Sequence, residues 1–297
     1  MTTPPTTMIG LKTGLTILAI VCIGTFAALT LITVPPSPST QVKSPASIAA
    51  ALPDAVTAGY LRKLRQTSPE TAEKLQQELQ AAIRSGEAAP ELADRITRAA
   101  LSEFKPNAPY ILRATTGNYD RLLDHVRTGF EMMSESGSHW CEAVAVEGLL
   151  KLSVDDLTET LIDQFEYDSA GYRWALTWSG FYLDAAYQGQ KLPHFHGQRS
   201  FQDKLALQEQ GLAMGSREWA LALQVAAFSQ AEGQGYAPMR EVIESIDVCK
   251  LGIAMVDLSD RLPEPNRGRI WSELMPEIFY GNTPYVLFVV TDYFFLS

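Results

Sequence analysis

The sequence predicts a mainly α-helical protein: a single transmembrane helix near the N-terminus, followed by an irregular multi-helix bundle of helical hairpins. Three observations predict it. The run Gly14–Val34 carries no charge. Beyond it, apolar residues recur at i, i+4, i+7 and i+8, which lines one face of a helix. Residues 118–258 divide into such segments of about 15–25 residues, a length typical of helices rather than strands.

The 297 residues are 46% hydrophobic and 20% charged, as in a packed globule. With the N-terminal segments set aside, enough chain remains for one large domain or two small ones. The net charge is −10 and no block of Lys and Arg offsets it locally. Such a surface repels phosphate backbones, so nucleic acid is not an expected partner.

Residues 1–13 form a short polar leader whose one basic side chain is Lys12. Residues 14–34 follow. At about 1.5 Å rise per residue, this run is just long enough to cross roughly 30 Å of hydrocarbon. Pro35-Pro36-Ser37-Pro38-Ser39 stops it. A cleaved signal peptide has a shorter apolar core, a more basic leader and small residues at the cut. Thr30-Leu31-Ile32-Thr33-Val34 lacks such a site, and Ile20-Val21 precede Cys22 where a lipoprotein needs small residues. The expected arrangement is a retained single-pass anchor in the lipid bilayer. Lys12 on one side and Lys43 on the other nearly balance under the positive-inside rule. The short leader favours an extracytoplasmic domain, and a cytoplasmic one stays open. Residues 35–53, rich in Pro, Ser and Ala, read as a tether.

Residues 54–106 form an N-terminal helical hairpin region of three helices. Ser68-Pro69-Glu70 is a start signal: a capping Ser, Pro at the first helical position, and an acid facing the helix dipole. Leu75, Leu79, Ala82 and Ile83 share a face, and Ser85-Gly86 ends the helix. Pro90 opens the next helix, with Leu92, Ile96 and Ala99 as its stripe. The two fold back on one another across a short loop.

Residues 107–297 form the main helical domain. Residues 107–117 and 282–293 share Asn-x-Pro-Tyr-(Ile/Val)-Leu, which fits either a small strand pair or two helices opened by Pro. The stretch 285–296 is too short to span a membrane and reads as core. Asn118 is a candidate cap for a helix through Leu122, Val126, Phe130 and Met133. Ser138 is a candidate cap for a helix over His139–Leu152, and Asp155-Asp156 open another. Gly171–Tyr187 places Trp174, Trp178 and Phe181 at i, i+4 and i+7, an aromatic stripe expected in the core. Residues 188–200 are the longest polar break. Ser200 opens a helix bent or broken at Gly211 and Gly215 and continuing through Trp219. One further helix is expected from Met239 to Leu258, ended by Leu262-Pro-Glu-Pro. Ile270, Leu274 and Ile278 mark the last.

Candidate chemistry is sparse. His139–Leu152 is apolar nearly all round, so it should be central and buried, yet it carries His139, Glu142 and Glu147. Buried carboxylates have raised pKa values, as a general acid requires. His194 and His196 alternate, so in an extended segment both rings point one way and could begin a metal site. Two ligands do not hold a metal. Completing the set would need His139, Cys141, Glu142 or Glu147. Cys141 and Cys249 are a candidate disulfide in an exported domain, closing a loop of about 108 residues. Two separate buried thiols are the alternative. G-x-S-x-G, P-loop, HExxH and GxGxxG patterns are all missing, so no cofactor is expected.

The leading functional expectation is a non-enzymatic, membrane-anchored protein-interaction or envelope-assembly module, which should expose an apolar patch for a protein partner. The alternative is an anchored hydrolase using Glu142 or Glu147 with His139 and the His194–His196 loop, closed over one cleft. A third is a carrier of an apolar ligand among the Trp174–Tyr187 aromatics.

Overall fold

The computed structural model describes residues 47–145, 165–232 and 240–279. The leader, the Gly14–Val34 run, most of the tether, Glu147, the helix expected from Asp155 and residues 282–293 lie outside the described residues; the other half of the strand pair expected with 282–293, residues 107–117, is described and is helical over its first part. Among the described residues there are twelve α-helices, one 3-10 turn and no strand. None of those helices is long and apolar enough to cross a membrane.

Helix α1 (Ile48–Ala51) is a single turn capped by Ser47. Asp54 caps α2 (Ala55–Thr67) by accepting from the Thr57 amide. Helix α3 (Pro69–Ser85) begins at the expected proline and ends at Gly86, whose φ of 88° is the left-handed closure that glycine permits. Ser68 does not cap it. Its hydroxyl instead donates to the carboxylate of Glu103, which also accepts from Asn107 Nδ2 at 2.9 Å. Helix α4 (Ala89–Ser102) buries Leu92, Ile96 and Ala100 and packs back on α3, the expected hairpin.

Helix α5 (Phe104–Ile111) follows after one residue and crosses the boundary expected at 106/107. The prolines here do not open a strand or a fresh helix. Pro106 cannot donate to the Ser102 carbonyl, so α4 and α5 are two rods instead of one. Helix α6 (Thr116–Glu135) starts at Thr115, three residues before the expected cap. Asn118 lies inside the first turn, and its amide donates to Thr115 Oγ1 and Gln188 Oε1.

The expected His139–Leu152 helix does not start as one. Ser138 does cap, but it caps a 3-10 turn, His139–Cys141. Glu142 is extended and forms an isolated antiparallel bridge with Asp247. Cys141 is bonded to Cys249, with Cα atoms 4.9 Å apart. That bond and the bridge hold the turn against the start of α11 (Val248–Arg261).

Helix α7 (Ala170–Lys191) is the axis of the fold. It buries Tyr172, Trp174, Leu176, Trp178 and Tyr182, among others, and touches α2, α4, α5 and α6. Trp174 Nε1 donates to the His125 carbonyl at 2.8 Å, and His125 Nε2 returns a bond to the Trp174 carbonyl at 3.0 Å. Helix α8 (Phe201–Leu212) is separated from α9 (Arg217–Glu232) by a break that contains Gly215, whereas Gly211 lies inside α8. The single helix expected over Met239–Leu258 is two, α10 (Arg240–Glu244) and α11. The first ends at Glu244, and Asp247 caps the second by accepting from the Lys250 amide. Helix α12 (Asn266–Phe279) packs on α5, α6 and α8.

Close helix approach depends on two glycines. A Cβ at Gly189 would overlap the backbone carbonyl of Tyr110, and one at Gly252 would overlap the ring of Phe130. Gly59, inside α2, faces open space. Gly189→Ala is therefore expected to cost about 1–3 kcal/mol of unfolding free energy, because a backbone carbonyl cannot swing aside. Gly59→Ala is expected to add roughly 0.5–1 kcal/mol by helix propensity. Urea denaturation of the two variants checks both signs.

Candidate functional site

Residues 192–200 leave the end of α7 and return along α5 and α6. The His194 amide donates to the Arg113 carbonyl at 2.8 Å. His196 Nε2 donates to the Ala114 carbonyl at 2.6 Å, and its ring lies 5.5 Å from that of Tyr119. Gly268 of α12 abuts His196 Nδ1, where a Cβ would collide. Gly197, with φ of 83°, turns the chain toward Ser200.

Ser200 and Asp203 then form a reciprocal capping box at the start of α8. Asp203 has no exposed surface. Its carboxylate accepts from the Ser200 amide at 2.6 Å, Ser200 Oγ at 2.8 Å, Asn266 Nδ2 at 2.8 Å and Arg269 Nη2 at 2.6 Å. Burial pushes this carboxyl upward. Arg269 and Ser200 outweigh burial and hold it below its ordinary value. One buried ion pair thus pins both the exit of the loop and the start of α12.

A cavity of about 560 Å³ opens beside this segment, lined by Leu112, His194, Phe195, His196, Arg199 and Glu273 among others. Leu112 and Phe195 are its apolar lining, and further apolar side chains are exposed along the loop and the helix after it. Leu192, Phe195, Phe201, Leu205 and Leu212 are all exposed, Phe195 by 76% and Leu212 by 80%. The chain leaves five large apolar side chains in water within 21 residues, and Leu112 stands next to them.

The expected chemical residues do not converge. His139 and Glu142 are exposed, not buried, because the 3-10 turn and the bridge to Asp247 keep them off any helix core. They stand just past the C-terminal end of α6, whereas His196 packs on residues at its N-terminal end. Twenty residues of α-helix separate the two groups by about 30 Å. His194 and His196 do adjoin, with ring centroids 4.5 Å apart. Yet His196 Nε2 is engaged by the Ala114 carbonyl, and its Nδ1 faces the backbone of α12 at Gly268, where even a Cβ would collide. Among the described residues, the one group of three close metal-type donors is Cys141, Asp247 and Cys249, whose two sulfurs are bonded to each other.

The aromatic stripe of α7 lines neither this cavity nor the larger one between α2 and α3. Trp174 stacks on His125 and Trp178 stacks on Tyr182, so these rings fill core. Phe181 is capped by Lys63 and Arg121 at 5.1 and 4.7 Å from its centroid.

The Asp203–Arg269 pair and the apolar cluster were not singled out from sequence. The first had a signal, because Ser200-x-x-Asp203 is a capping-box pattern. Its partner, 66 residues on, had none. Comparison with protein-family models, with curated proteins and with solved structures found no match in any of the three.

Burial lowers the affinity of both His125 and His196 for a proton. Their carbonyl bonds oppose that effect, and His194 adds to it at His196. Below pH 6.5 the unfolded chain therefore binds protons that the folded chain refuses. These two side chains contribute full stability above about pH 6.5 and lose it as pH falls from there. Urea midpoints should drop between pH 7.5 and 5.5, and the drop should shrink in His196→Gln and in His125→Gln.

Proposed function

We propose that the chain is a membrane-anchored, extracytoplasmic helical module that docks a protein partner on the face formed by residues 192–212. The observation that carries the docking role is the exposed cluster Leu192, Phe195, Phe201, Leu205 and Leu212. Isolated exposed apolar residues need no explanation, but five large ones within 21 residues, with Phe201, Leu205 and Leu212 on one face of α8, are a cost in water unless something covers them. The Asp203–Arg269 pair holds this face where the loop passes into α8. Partner segments with aliphatic or aromatic anchors suit it, entering the cavity beside Phe195.

The anchor rests on the uncharged length of Gly14–Val34. The Cys141–Cys249 bond supports an oxidising compartment for the domain, since such bonds are rare in reducing cytosol. The hydrolase reading loses the support of His139 and Glu142, which stand exposed and remote from the histidine loop, while Glu147 lies outside the described residues.

Membrane fractionation of the full-length chain should leave it in the pellet until detergent is added, with no thiol of Cys141 or Cys249 free to alkylation. A photo-crosslinking residue at Phe195 or Phe201 should trap one defined partner in intact cells, whereas the same residue at exposed Lys74 should not. Replacing Leu192 and Leu212 with Ser should abolish the adduct from either position without lowering the melting temperature. Recovery of the uncleaved chain in the aqueous fraction would remove the anchor, and equal adducts from positions 195 and 74 would remove the docking face.

A further inference from the structure

The largest cavity described, about 910 Å³, is an open groove between α2 and α3 roofed by α1. Helical spacing builds its two walls. Ala58, Arg62 and Arg65 fall at i, i+4 and i+7 on α2, facing Gln76, Gln80 and Arg84 at i, i+4 and i+8 on α3. The floor is apolar: Leu52, Leu61 and Ile83, with Ile48 at the edge.

Charge sets this groove apart. The chain carries 34 Asp and Glu against 24 Lys and Arg, yet three arginines and no carboxylate line the groove. Arg65 Nη2 donates to Gln76 Oε1 at 2.9 Å. No carboxylate among the described residues pairs with Arg62 or Arg84. Arg65 and Arg84 occupy the last turns of their helices, where a cation complements the dipole, but that role leaves their donor forks open. Guanidinium groups bind phosphate oxygens through two parallel N–H bonds, and an apolar floor beside them takes a hydrocarbon stem.

We propose that this groove binds the phosphate headgroup of an anionic lipid at the bilayer surface. Inorganic phosphate would satisfy the arginines but leave the apolar floor in water, which favours the amphiphile. Placement agrees, and here the proposal rests on Gly14–Val34 being the anchor. Ser47 borders the groove, and only residues 35–46 separate it from the end of that run. Twelve extended residues reach at most about 40 Å. An acidic protein segment would meet the arginines equally well but has no use for the floor.

The test uses the full-length chain in neutral detergent, with dihexanoyl phosphatidylglycerol as probe and calorimetric titration as readout. Saturable binding is expected, weakened at least tenfold in the double variant Arg62→Gln/Arg84→Gln and unchanged in Arg113→Gln, an exposed arginine outside the groove. Dihexanoyl phosphatidylcholine should bind at least tenfold more weakly than the glycerol lipid. Circular dichroism and melting temperature of the double variant should match those of the parent, since both side chains are exposed. Equal binding by the double variant overturns the proposal, as does equal binding of the two lipids. Inorganic phosphate binding as tightly as the lipid overturns the lipid assignment, and tighter binding by a decaglutamate peptide assigns the groove to an acidic segment instead. Probe binding through Arg62 and Arg84 by a chain that fractionates as soluble upholds the groove and removes only the anchor.

Discussion

Ala170–Lys191 buries side chains on nearly every side of its axis, so it is stable only when other helices surround it. Each large aromatic on it contributes on the order of 2 kcal/mol once removed from water, and none does so on an isolated helix. Four neighbours supply the sheath: the helices at 55–67, 89–102, 104–111 and 116–135. Sheathing fixes much else. Gly189 brings Tyr110 close, and the mutual bonds of Trp174 and His125 fix the rotation of the 116–135 helix. The loop after Lys191 must then cross the ends of the 104–111 and 116–135 helices, which is where His196 lodges.

Much of this fold was legible in the chain. The proline at 69, the glycine at 86, the aromatic stripe and the break between residues 212 and 217 all act locally, so their signals sit beside their effects. The misplaced features share one cause, competition from distant groups. Ser68 is a sound capping residue, but Glu103 takes its hydroxyl from 35 residues away. Asn118 looks like a cap until Gln188 draws its amide inward. His139–Leu152 has a helical pattern, but the Cys141–Cys249 bond and the strand-like pairing of Glu142 with Asp247 hold residues 139–142 out of it, and helix begins at Ala143. The break at Asp247 arises from the same contact, seen from the other side of the bridge.

Site residues were less legible than the fold. Histidines and acids attract notice because of what they can do, and here most do structural tasks. His125 ties two helices and His196 fills the space left by Gly268. The features with unmet demand are of another kind. One is a set of leucines and phenylalanines left in water, and the other is a set of arginines left without acids. Neither has a sequence motif. Whether an apolar side chain is covered, or a guanidinium paired, is decided by three-dimensional neighbours, and periodicity alone does not report those.

The sulfur–sulfur bond has a topological consequence. Residues 141 to 249 form a closed ring of backbone, and the ring contains the central helix, the histidine loop and the apolar face. Cutting that ring once, anywhere along its exposed circumference, opens it without shedding a piece, because both new ends stay joined to the body. A surface segment that a protease can reach is therefore compatible with a domain that stays whole.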